Sequence, residues 1–330
     1  MKRVGLVGCG AIAQVHAAVL RSLPETRLCA VCDIRRDRAE QMAEADGCAV
    51  YEDYTEMLDR EKPDAVHLCV PHFLHAPMAE EAAERGIAVF TEKPPAISRE
   101  QWERLRKAAE KAPIGVCFQN RYNRNAEAVR EIIAANTYGA VTGARAFVTW
   151  HRDGAYYTDS GWRGKPETEG GGVLINQAIH TLDLLIWMLG RPETAEASLQ
   201  NRHLAGVISV EDTAEIYLRI GGRPVLLYAS NAYSADAPVI IEFQAERAAL
   251  RLEGNGLDII TPAGTEHRTF EMPDALGKGY WGNGHLLCIR DFYQSLAENR
   301  SFRNRVEAVA DTAETMLRIY EAGAPTLSRL

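Results

Sequence analysis

The sequence predicts an α/β domain with a doubly wound parallel sheet, followed by an α+β domain with an open, mainly antiparallel sheet. Up to about residue 119, short apolar runs alternate with amphipathic stretches, which is the βαβ rhythm of a parallel sheet covered by helices. Beyond Tyr122, strand-like runs follow one another across short Gly and Pro turns, which indicates antiparallel pairing. The two rhythms place the predicted domains at residues 1–120 and 121–330.

Composition excludes several classes of protein. The 330 residues are 46% hydrophobic and 25% charged, which is enough to build a core in each of two domains. A formal net charge of -8, without a basic cluster rich in aromatics, argues against nucleic acid as a partner. Asp183 interrupts the best apolar stretch, so we expect no membrane span. The seven cysteines have no scaffold-like spacing, which is typical of a reducing, cytoplasmic location.

The apolar runs of the first domain predict its buried strands. These are Arg3–Val7, Leu28–Cys32, Ala65–Val70, Ile87–Thr91 and Ile114–Phe118. Helical patterns such as Arg36–Ala45 and Ala76–Glu84 lie between them. Cys29 and Cys32 form a C-x-x-C inside the second run, not at a turn that opens a helix, and no second pair completes a zinc site. We interpret both as buried thiols and predict no metal.

The first strand leads into a turn that is typical of dinucleotide binding. Gly8-Cys9-Gly10-Ala11-Ile12-Ala13 is a G-x-G-x-x-A pattern that opens a helix, whose amino terminus can hold a pyrophosphate. Asp33 ends the next strand, where its carboxylate would accept the ribose hydroxyls and repel a 2'-phosphate, so NAD is predicted rather than NADP. Arg35 and Arg36 leave NADP open, because a nearby arginine can accommodate that phosphate.

The second domain contains six strand-like runs and several helices. The runs are Val141–Trp150, Ala195–Arg202, Glu211–Ile220, Val225–Asn231, Val239–Ala245 and Ala248–Leu252. The predicted helices are Asn125–Ala135, Gly172–Leu189, His285–Glu298 and Arg305–Ala322. A hydrophobic strand face with few helices left to cover it predicts burial against another copy of the chain, as a homodimer or homotetramer.

Several longer motifs then identify a family. Thr91-Glu92-Lys93-Pro94-Pro95 follows one strand of the first domain, and Glu169-Gly170-Gly171-Gly172 begins a stretch that runs to Asp183. Together with residues 69–75, 115–122 and 160–164, they resemble the Gfo/Idh/MocA family of oxidoreductases over nearly the whole chain. This resemblance implies a Rossmann domain, an open-sheet domain, a tightly held nicotinamide cofactor, and a catalytic pair formed by Lys93 and His180.

The resemblance and the residue chemistry together predict the site residues. Those expected at the cofactor are Gly8, Gly10, Ala11, Ile12, Asp33, Val70, Pro71, His72, His75, Glu92, Lys93, Gln119, Trp162 and Arg163. Those expected at the substrate are Lys93, Arg121, Tyr157, Asn176, His180 and His285. The sequence departs from the family in two places: Asn176 stands where members often carry Asp, and Val70-Pro71-His72 replaces a common Thr-Pro-Asn. Tyr156 and Tyr157 either line the pocket or pack in a core.

Hydride loss from a secondary alcohol requires that the hydroxyl proton also leave, and a neutral imidazole near pH 7 can accept it. His180 is therefore the predicted general base. Lys93 would hydrogen-bond the same oxygen as charge develops on it. Asn176, four residues before His180 on a predicted helix, would orient the substrate, and the glycines before it would allow a ligand to approach closely. Asp183 is predicted to form a structural ion pair or to support the site.

The predicted function is that of an NAD-dependent dehydrogenase acting on a secondary alcohol of a sugar, sugar derivative or polyol. Two alternatives stay open. One is a glycosidase that uses bound NAD for transient oxidation, and the other is a non-enzymatic sensor of a sugar or cofactor.

Overall fold

The computed structural model describes residues 1–271 and 284–322; residues 272–283 and 323–330, which fall in the predicted second domain, lie outside the described residues. Backbone contacts divide the chain into two compact units. The first contains residues 1–119 and 284–309, and the second contains residues 120–271 and 310–322. The first unit gives way to the second at residue 120, where the sequence placed the domain boundary. Residues 284–309 nevertheless belong to the first unit, because the helix Gly284–Glu298 packs on the helix Ala11–Ser22.

A parallel sheet of six strands forms the centre of the first unit, in the order β3-β2-β1-β4-β5-β6. Its strands are β1 (Lys2–Val7), β2 (Thr26–Cys32), β3 (Ala49–Tyr51), β4 (Ala65–Leu68), β5 (Ala88–Thr91) and β6 (Ile114–Val116). Its helices are α1 (Ala11–Ser22), α2 (Arg36–Ala43), α3 (Tyr54–Glu61), α4 (His72–Glu84) and α5 (Arg99–Ala108). The predicted doubly wound sheet is confirmed, and its order reverses beside β1, where such sheets bind ligands at the strands' carboxyl ends.

The second unit contains a sheet of eight strands in the order β14-β13-β12-β11-β7-β10-β9-β8. Its strands are β7 (Val141–Thr149), β8 (Thr194–Gln200), β9 (Thr213–Ile220), β10 (Arg223–Ser230), β11 (Ile240–Ala245), β12 (Ala249–Glu253), β13 (Gly256–Thr261) and β14 (Gly264–Thr269). All neighbours pair antiparallel except β7 and β10, which are parallel. The mainly antiparallel sheet is confirmed.

The remaining helices complete the two units. The second unit contains α6 (Arg124–Ala134), α7 (Gly154–Thr158), α8 (Ile179–Leu189) and α10 (Ala310–Ala322), and the first contains α9 (Gly284–Glu298). Within the described ranges, every helix falls short of the length and apolar character that a membrane crossing requires. All seven cysteines are free thiols in the structure.

The prediction of one continuous α-helix from Gly172 to Leu189 is wrong at its start. Residues Leu174–Ala178 form a π turn, and the α-helix begins at Ile179. The buried Glu211 carboxylate accepts hydrogen bonds from the backbone N–H groups of Gly172, at 2.9 Å, and Leu174, at 3.0 Å. The Tyr320 hydroxyl accepts from the Ile175 N–H at 3.1 Å. These side chains satisfy the amide groups at the start of the helix, so its first turn does not need regular α geometry.

The glycines before this turn have a structural purpose that the sequence did not reveal. A Cβ at Gly171 would overlap the Tyr320 hydroxyl, and a Cβ at Gly172 would overlap the carbonyl oxygen of Glu211. Both glycines therefore allow close packing within the unit. The close approach of a ligand that the sequence predicted for them stays a prediction.

Candidate functional site

The glycine turn after β1 has the shape that a dinucleotide requires. Gly8 has a φ of +82°, and a Cβ there would lie 2.5 Å from the carbonyl oxygen of Cys69, so only glycine fits. Gly10, which precedes α1, would meet no protein atom within 4 Å if it carried a Cβ. Ala11 and Ile12 form the first turn of α1. The turn therefore leaves open space directly at a helix amino terminus, which fits the pyrophosphate of NAD.

Asp33 lies just after β2 and is held in place by the same turn. Its Oδ2 accepts the Cys9 N–H at 2.7 Å, and its Oδ1 accepts the Arg35 N–H at 2.8 Å. Each carboxylate oxygen has a further lone pair, so both can still accept a ribose hydroxyl. The next residue, Ile34, is 88% exposed, and sequence reasoning missed it. An exposed apolar side chain beside the ribose position is suited to cover an adenine ring.

The two arginines that left NADP open are both exposed and paired with carboxylates. The Arg35 guanidinium lies 2.7 Å from Asp37, and Arg36 lies 2.8 Å from Glu40. Because each guanidinium already has an acidic partner on α2, neither is held ready for a 2'-phosphate.

The loop after β4 carries four predicted cofactor residues. Val70 and Pro71 are half-buried, whereas His72 and His75 are buried. The His75 ring lies between two loops, with Nδ1 2.7 Å from the Pro94 carbonyl oxygen and Nε2 2.9 Å from that of Val70. His75 thus ties the loop after β4 to the loop after β5. Its predicted contact with the cofactor stays a prediction.

Lys93 follows β5 at the carboxyl end of the sheet and is half-buried. Its backbone N–H donates to Glu92 Oε2 at 3.3 Å. Burial would raise the pKa of Glu92, but the hydrogen bond from His16 and nearby positive charge, including that of Lys93, outweigh burial and lower it. The charge of Lys93 therefore lies close to an ionised carboxylate.

His285, which was predicted at the substrate, is buried in the first unit on α9. Its Nε2 lies 3.9 Å from Glu92 Oε1. Burial lowers the pKa of His285 to about 4, against the raising effect of Glu92, and His16 and Lys93 lower it further. His285 is therefore neutral near pH 7. Gln119 is also buried, with its Oε1 3.8 Å from Cys117 Sγ.

In the second unit, Asn176 and His180 stand out by their exposure. From residue 171 to residue 186 they are the only side chains that are partly exposed, and all the others are buried. Asn176 lies in the π turn and His180 in the first turn of α8. The two polar side chains are therefore both accessible, and their joint contact with a substrate stays a prediction.

Glu169 is a buried carboxyl group that sequence reasoning missed, although it begins the quoted glycine-rich motif. Its Oε1 accepts from Asn176 Nδ2 at 2.6 Å, and its Oε2 accepts from the Gly164 N–H. Burial raises the pKa of Glu169 to about 7, and the nearby charge of Glu211 also raises this pKa. The two hydrogen bonds and the charge of Arg163 lower the pKa but do not outweigh burial. A group with this pKa, bonded to a predicted substrate residue, changes charge in the neutral range.

Aromatic and cationic side chains surround this pair. The Arg163 guanidinium lies 4.5 Å from the centre of the Tyr156 ring and 4.8 Å from that of Trp162. The Tyr156 hydroxyl accepts from Asn176 Nδ2 at 3.3 Å. Arg163, a predicted cofactor residue, thus stacks on Tyr156, an aromatic neighbour of Asn176, and also on Trp162.

Two other predicted substrate residues are buried in structural contacts. Arg121 is 2% exposed and forms a two-pronged ion pair with Asp183, in which Nε donates to Oδ2 at 2.8 Å. Asp183 therefore has the structural role that the sequence offered as one alternative. Tyr157 is 3% exposed, and its hydroxyl accepts from Asn231 Nδ2 at 2.8 Å. Substrate contacts of Arg121 and Tyr157 stay predictions.

Family models match both units of the chain. A model described as an oxidoreductase family with an NAD-binding Rossmann fold matches residues 2–120. A second, described as the GFO/IDH/MocA C-terminal domain, matches residues 126–251.

Named relatives point the same way. The chain is 35% identical over 198 residues to D-glucoside 3-dehydrogenase of Escherichia coli, covering 58% of this chain and 54% of that protein. It is 31% identical over 190 residues to inositol 2-dehydrogenase of Rubrobacter xylanophilus, covering 56% and 52% respectively. The matches thus span about half the length of these curated relatives.

A solved structure matches over a longer range. The WlbA dehydrogenase of Bordetella pertussis, in complex with NADH and UDP-GlcNAcA, has a TM-score of 0.86 and 27% sequence identity, and the match covers 97% of this chain and 95% of that one. From its two matching family models, its glycine turn and its two-unit fold, the chain belongs to the Gfo/Idh/MocA family of oxidoreductases with an NAD-binding Rossmann domain.

Proposed function

We propose that this protein is an NAD-dependent dehydrogenase that acts on a secondary alcohol of a sugar, sugar derivative or polyol. The observation that carries the proposal is the accessible pair Asn176 and His180 on an otherwise buried helical segment, in a chain whose other unit has a dinucleotide turn. The named relatives act on a glucoside and on inositol, both of which are rich in secondary hydroxyl groups.

The proposed chemistry assigns one task to each polar group. The bound nicotinamide supplies the hydride acceptor. His180 accepts the hydroxyl proton as the carbon–hydrogen bond breaks, because a neutral imidazole is a suitable base near pH 7. Lys93 donates a hydrogen bond to the same oxygen and stabilises its developing negative charge. Gly8, Gly10, Asp33 and Ile34 hold the dinucleotide.

A substrate panel with NAD tests the proposal against its alternatives. The panel consists of inositols, free hexoses, methyl glycosides and nucleotide sugars, and both NADH formation and glycoside cleavage are followed. A dehydrogenase forms NADH in proportion to oxidised product. Glycoside cleavage without net NADH would indicate the glycosidase, and tight NAD binding without any turnover would indicate a sensor.

We expect NAD to be preferred over NADP in steady-state kinetics. Asp33 presents a carboxylate to the ribose diol, and Arg35 and Arg36 are already paired with acidic residues. A 2'-phosphate would therefore meet negative charge without a cation held ready to receive it. The measurement is kcat/KM for NAD and for NADP at saturating substrate. The variant Asp33→Asn is expected to reduce the ratio between the two values. Equal or better use of NADP by the wild type would contradict this assignment.

Glu169 is proposed to position Asn176 for its substrate. The ionised carboxylate of Glu169 accepts a hydrogen bond from Asn176 Nδ2. This bond fixes the orientation of the Asn176 amide, so that its oxygen points away from Glu169. The oxygen can then accept a hydrogen bond from a sugar hydroxyl. In this way Asn176 offers an acceptor like that of the Asp that many family members carry at this position, without adding a charge beside His180.

This arrangement predicts a pH-dependent KM. Above pH 7 Glu169 is ionised and fixes the amide; below pH 7 it gains a proton, can donate instead, and no longer fixes the orientation. The groups that face Glu169 are Arg163, which lowers its pKa, and Glu211, which raises it. We expect the substrate KM to rise several-fold as pH falls through 7.

The variant Glu169→Gln should have a raised KM at pH 8 and should lose this dependence, with little change in kcat. Glu167→Gln is the matched control, because Glu167 is exposed two residues away. If Glu169→Gln keeps the wild-type KM profile, Glu169 has no part in orienting Asn176.

We further propose that the protein forms a homodimer or homotetramer through the sheet of the second unit. Its exposed face presents Phe147, 39% exposed, and Leu226, 54% exposed, and Tyr217 and Tyr228 line the same shallow groove. Tyr228 pairs with Phe147 across β10 and β7, so these apolar groups are contiguous. A second copy of this face would cover it.

Leu226→Lys should weaken self-association by at least about tenfold, because it places a charge in the proposed interface. Light scattering across a concentration series measures this. Thr265→Lys adds the same charge on the exposed edge strand β14 and should not change the mass. A wild type that is monomeric at every concentration would rule out the assembly.

A further inference from the structure

Four side chains of metal-ligating type meet inside the first unit. His16 belongs to α1, Glu92 and Cys117 follow β5 and β6, and His285 belongs to α9. All four are buried, and one ligand atom from each lies within 4.8 Å of the other three. We propose that His16, Glu92, Cys117 and His285 bind one zinc ion. The proposal does not depend on the substrate or on the reaction.

Two of the distances between ligand atoms lie near those of a tetrahedral ion, and all four atoms lie within 4.8 Å of one another. With zinc bonds of about 2.0–2.3 Å, the ligand atoms of a tetrahedral site lie about 3.3–3.8 Å apart. His16 Nε2 lies 3.0 Å from Glu92 Oε1, and His285 Nε2 lies 3.9 Å from the same oxygen. Shifts of a few tenths of an ångström would bring both separations into that range.

A chain of hydrogen bonds behind His16 fits the outer partners of a metal ligand. His16 Nδ1 lies 2.9 Å from His67 Nδ1, and His67 Nε2 lies 2.9 Å from the Tyr293 hydroxyl. If His16 Nε2 binds the metal, its Nδ1–H donates to His67, whose Nε2–H then donates to Tyr293. Every ring nitrogen then has a partner while both rings stay neutral. Metal-bound histidines commonly depend on such partners for their tautomer and orientation.

Charge and donor chemistry indicate zinc among the common metals. One carboxylate and one thiolate neutralise a divalent ion, which matters in a fully buried site. The set of two imidazoles, one thiolate and one carboxylate contains the donors that zinc accepts. As zinc binds, the Cys117 thiol loses its proton to solvent and a zinc–sulfur bond forms.

Four protein ligands leave no open coordination position, so the role is structural. The ion would connect α9 to α1 and to the loop that begins at Glu92 and Lys93.

The test begins with the full-length chain, purified without a histidine tag and stripped with a chelator. Zinc is added, excess is removed, and metal per chain is measured by mass spectrometry. Cobalt is then added to a second stripped sample, because a bound thiolate gives cobalt a characteristic charge-transfer absorption. We expect one zinc per chain, the cobalt–thiolate band, and a rise in melting temperature on adding zinc.

Cys117→Ala should lose the band and the zinc-dependent rise in melting temperature. Cys32→Ala is the matched control, since Cys32 is also buried but lies in β2 outside the group, and it should keep both. Should Cys117→Ala fail to fold, the cobalt spectrum of the wild type still decides. Absence of zinc uptake by the wild type, or uptake that Cys117→Ala retains in full, overturns the proposal and leaves a buried hydrogen-bonded group.

Discussion

Replacing His180 or Lys93 by alanine is expected to lower turnover by at least ~100-fold while NAD affinity changes little. Both residues are proposed to act on the reacting oxygen and not on the dinucleotide, so their loss removes interactions that form as the proton leaves. The measurement combines kcat and KM on an oxidisable substrate with a separate titration of NAD. Purified variants must first give the wild-type melting temperature.

Two exposed residues provide matched controls for this experiment. His203→Ala and Lys107→Ala remove the same side-chain types from exposed positions and should keep normal turnover. Near-normal turnover in a folded His180 or Lys93 variant would remove that residue from the mechanism. A large loss of NAD binding in Lys93→Ala would instead move Lys93 from the reacting oxygen to the cofactor.

Arg121→Met is expected to reduce the free energy of unfolding by about 3–5 kcal/mol, because it leaves a buried charge without its partner. Asp183 is 1% exposed, and its other described contact is the Thr312 hydroxyl, which donates to Oδ1 at 2.7 Å. One hydroxyl cannot compensate an ionised carboxylate in a buried site. Urea unfolding of the wild type and variant gives the difference.

A second substitution distinguishes stability from function at this position. The double variant Arg121→Met with Asp183→Leu replaces both charges by apolar groups and should recover most of the lost stability. Arg130→Met is the control, since Arg130 is exposed and its guanidinium lies 4.2 Å from the centre of the Trp187 ring. This variant should lower the free energy of unfolding by less than about 1 kcal/mol. If the stable double variant has a strongly raised KM, Arg121 also contacts substrate, as the sequence predicted. An Arg121→Met variant as stable as the wild type would contradict the ion-pair argument.

The parallel sheet could be predicted because its signals are local. The buried strands are mainly apolar runs, and the glycine turn with Asp33 depends only on spacing along the chain. The strand β3 was missed because its apolar stretch is short, with only three residues in the strand. The strand β14 was missed because it is polar and almost fully exposed at the sheet edge. The strand β14 therefore carries no hydrophobic pattern that sequence reasoning can detect.

Residues of the candidate site could be predicted when they belong to a sequence motif. Those whose contacts come from distant segments of the chain were missed. Asn176 and His180 come from one motif, and both are partly exposed on an otherwise buried segment. The burial of Glu169 and Glu211 could not be predicted, since glutamate is rarely buried and its partners come from other segments. The burial of His16 and His285 could not be predicted either. These two residues lie far apart in the sequence, although both face the carboxylate of Glu92.

The return of residues 284–309 to the first unit has a consequence for synthesis of the chain. As the protein leaves the ribosome, α1 and the six strands of its sheet emerge before the second unit, but the helix that packs on α1 is made only after residues 120–271. The second unit can therefore start to fold while the first unit still exposes the apolar surface that α9 later covers. The first unit is therefore completed only after most of the second unit has been made, so the usual amino-to-carboxyl order of domain folding does not hold for these two units.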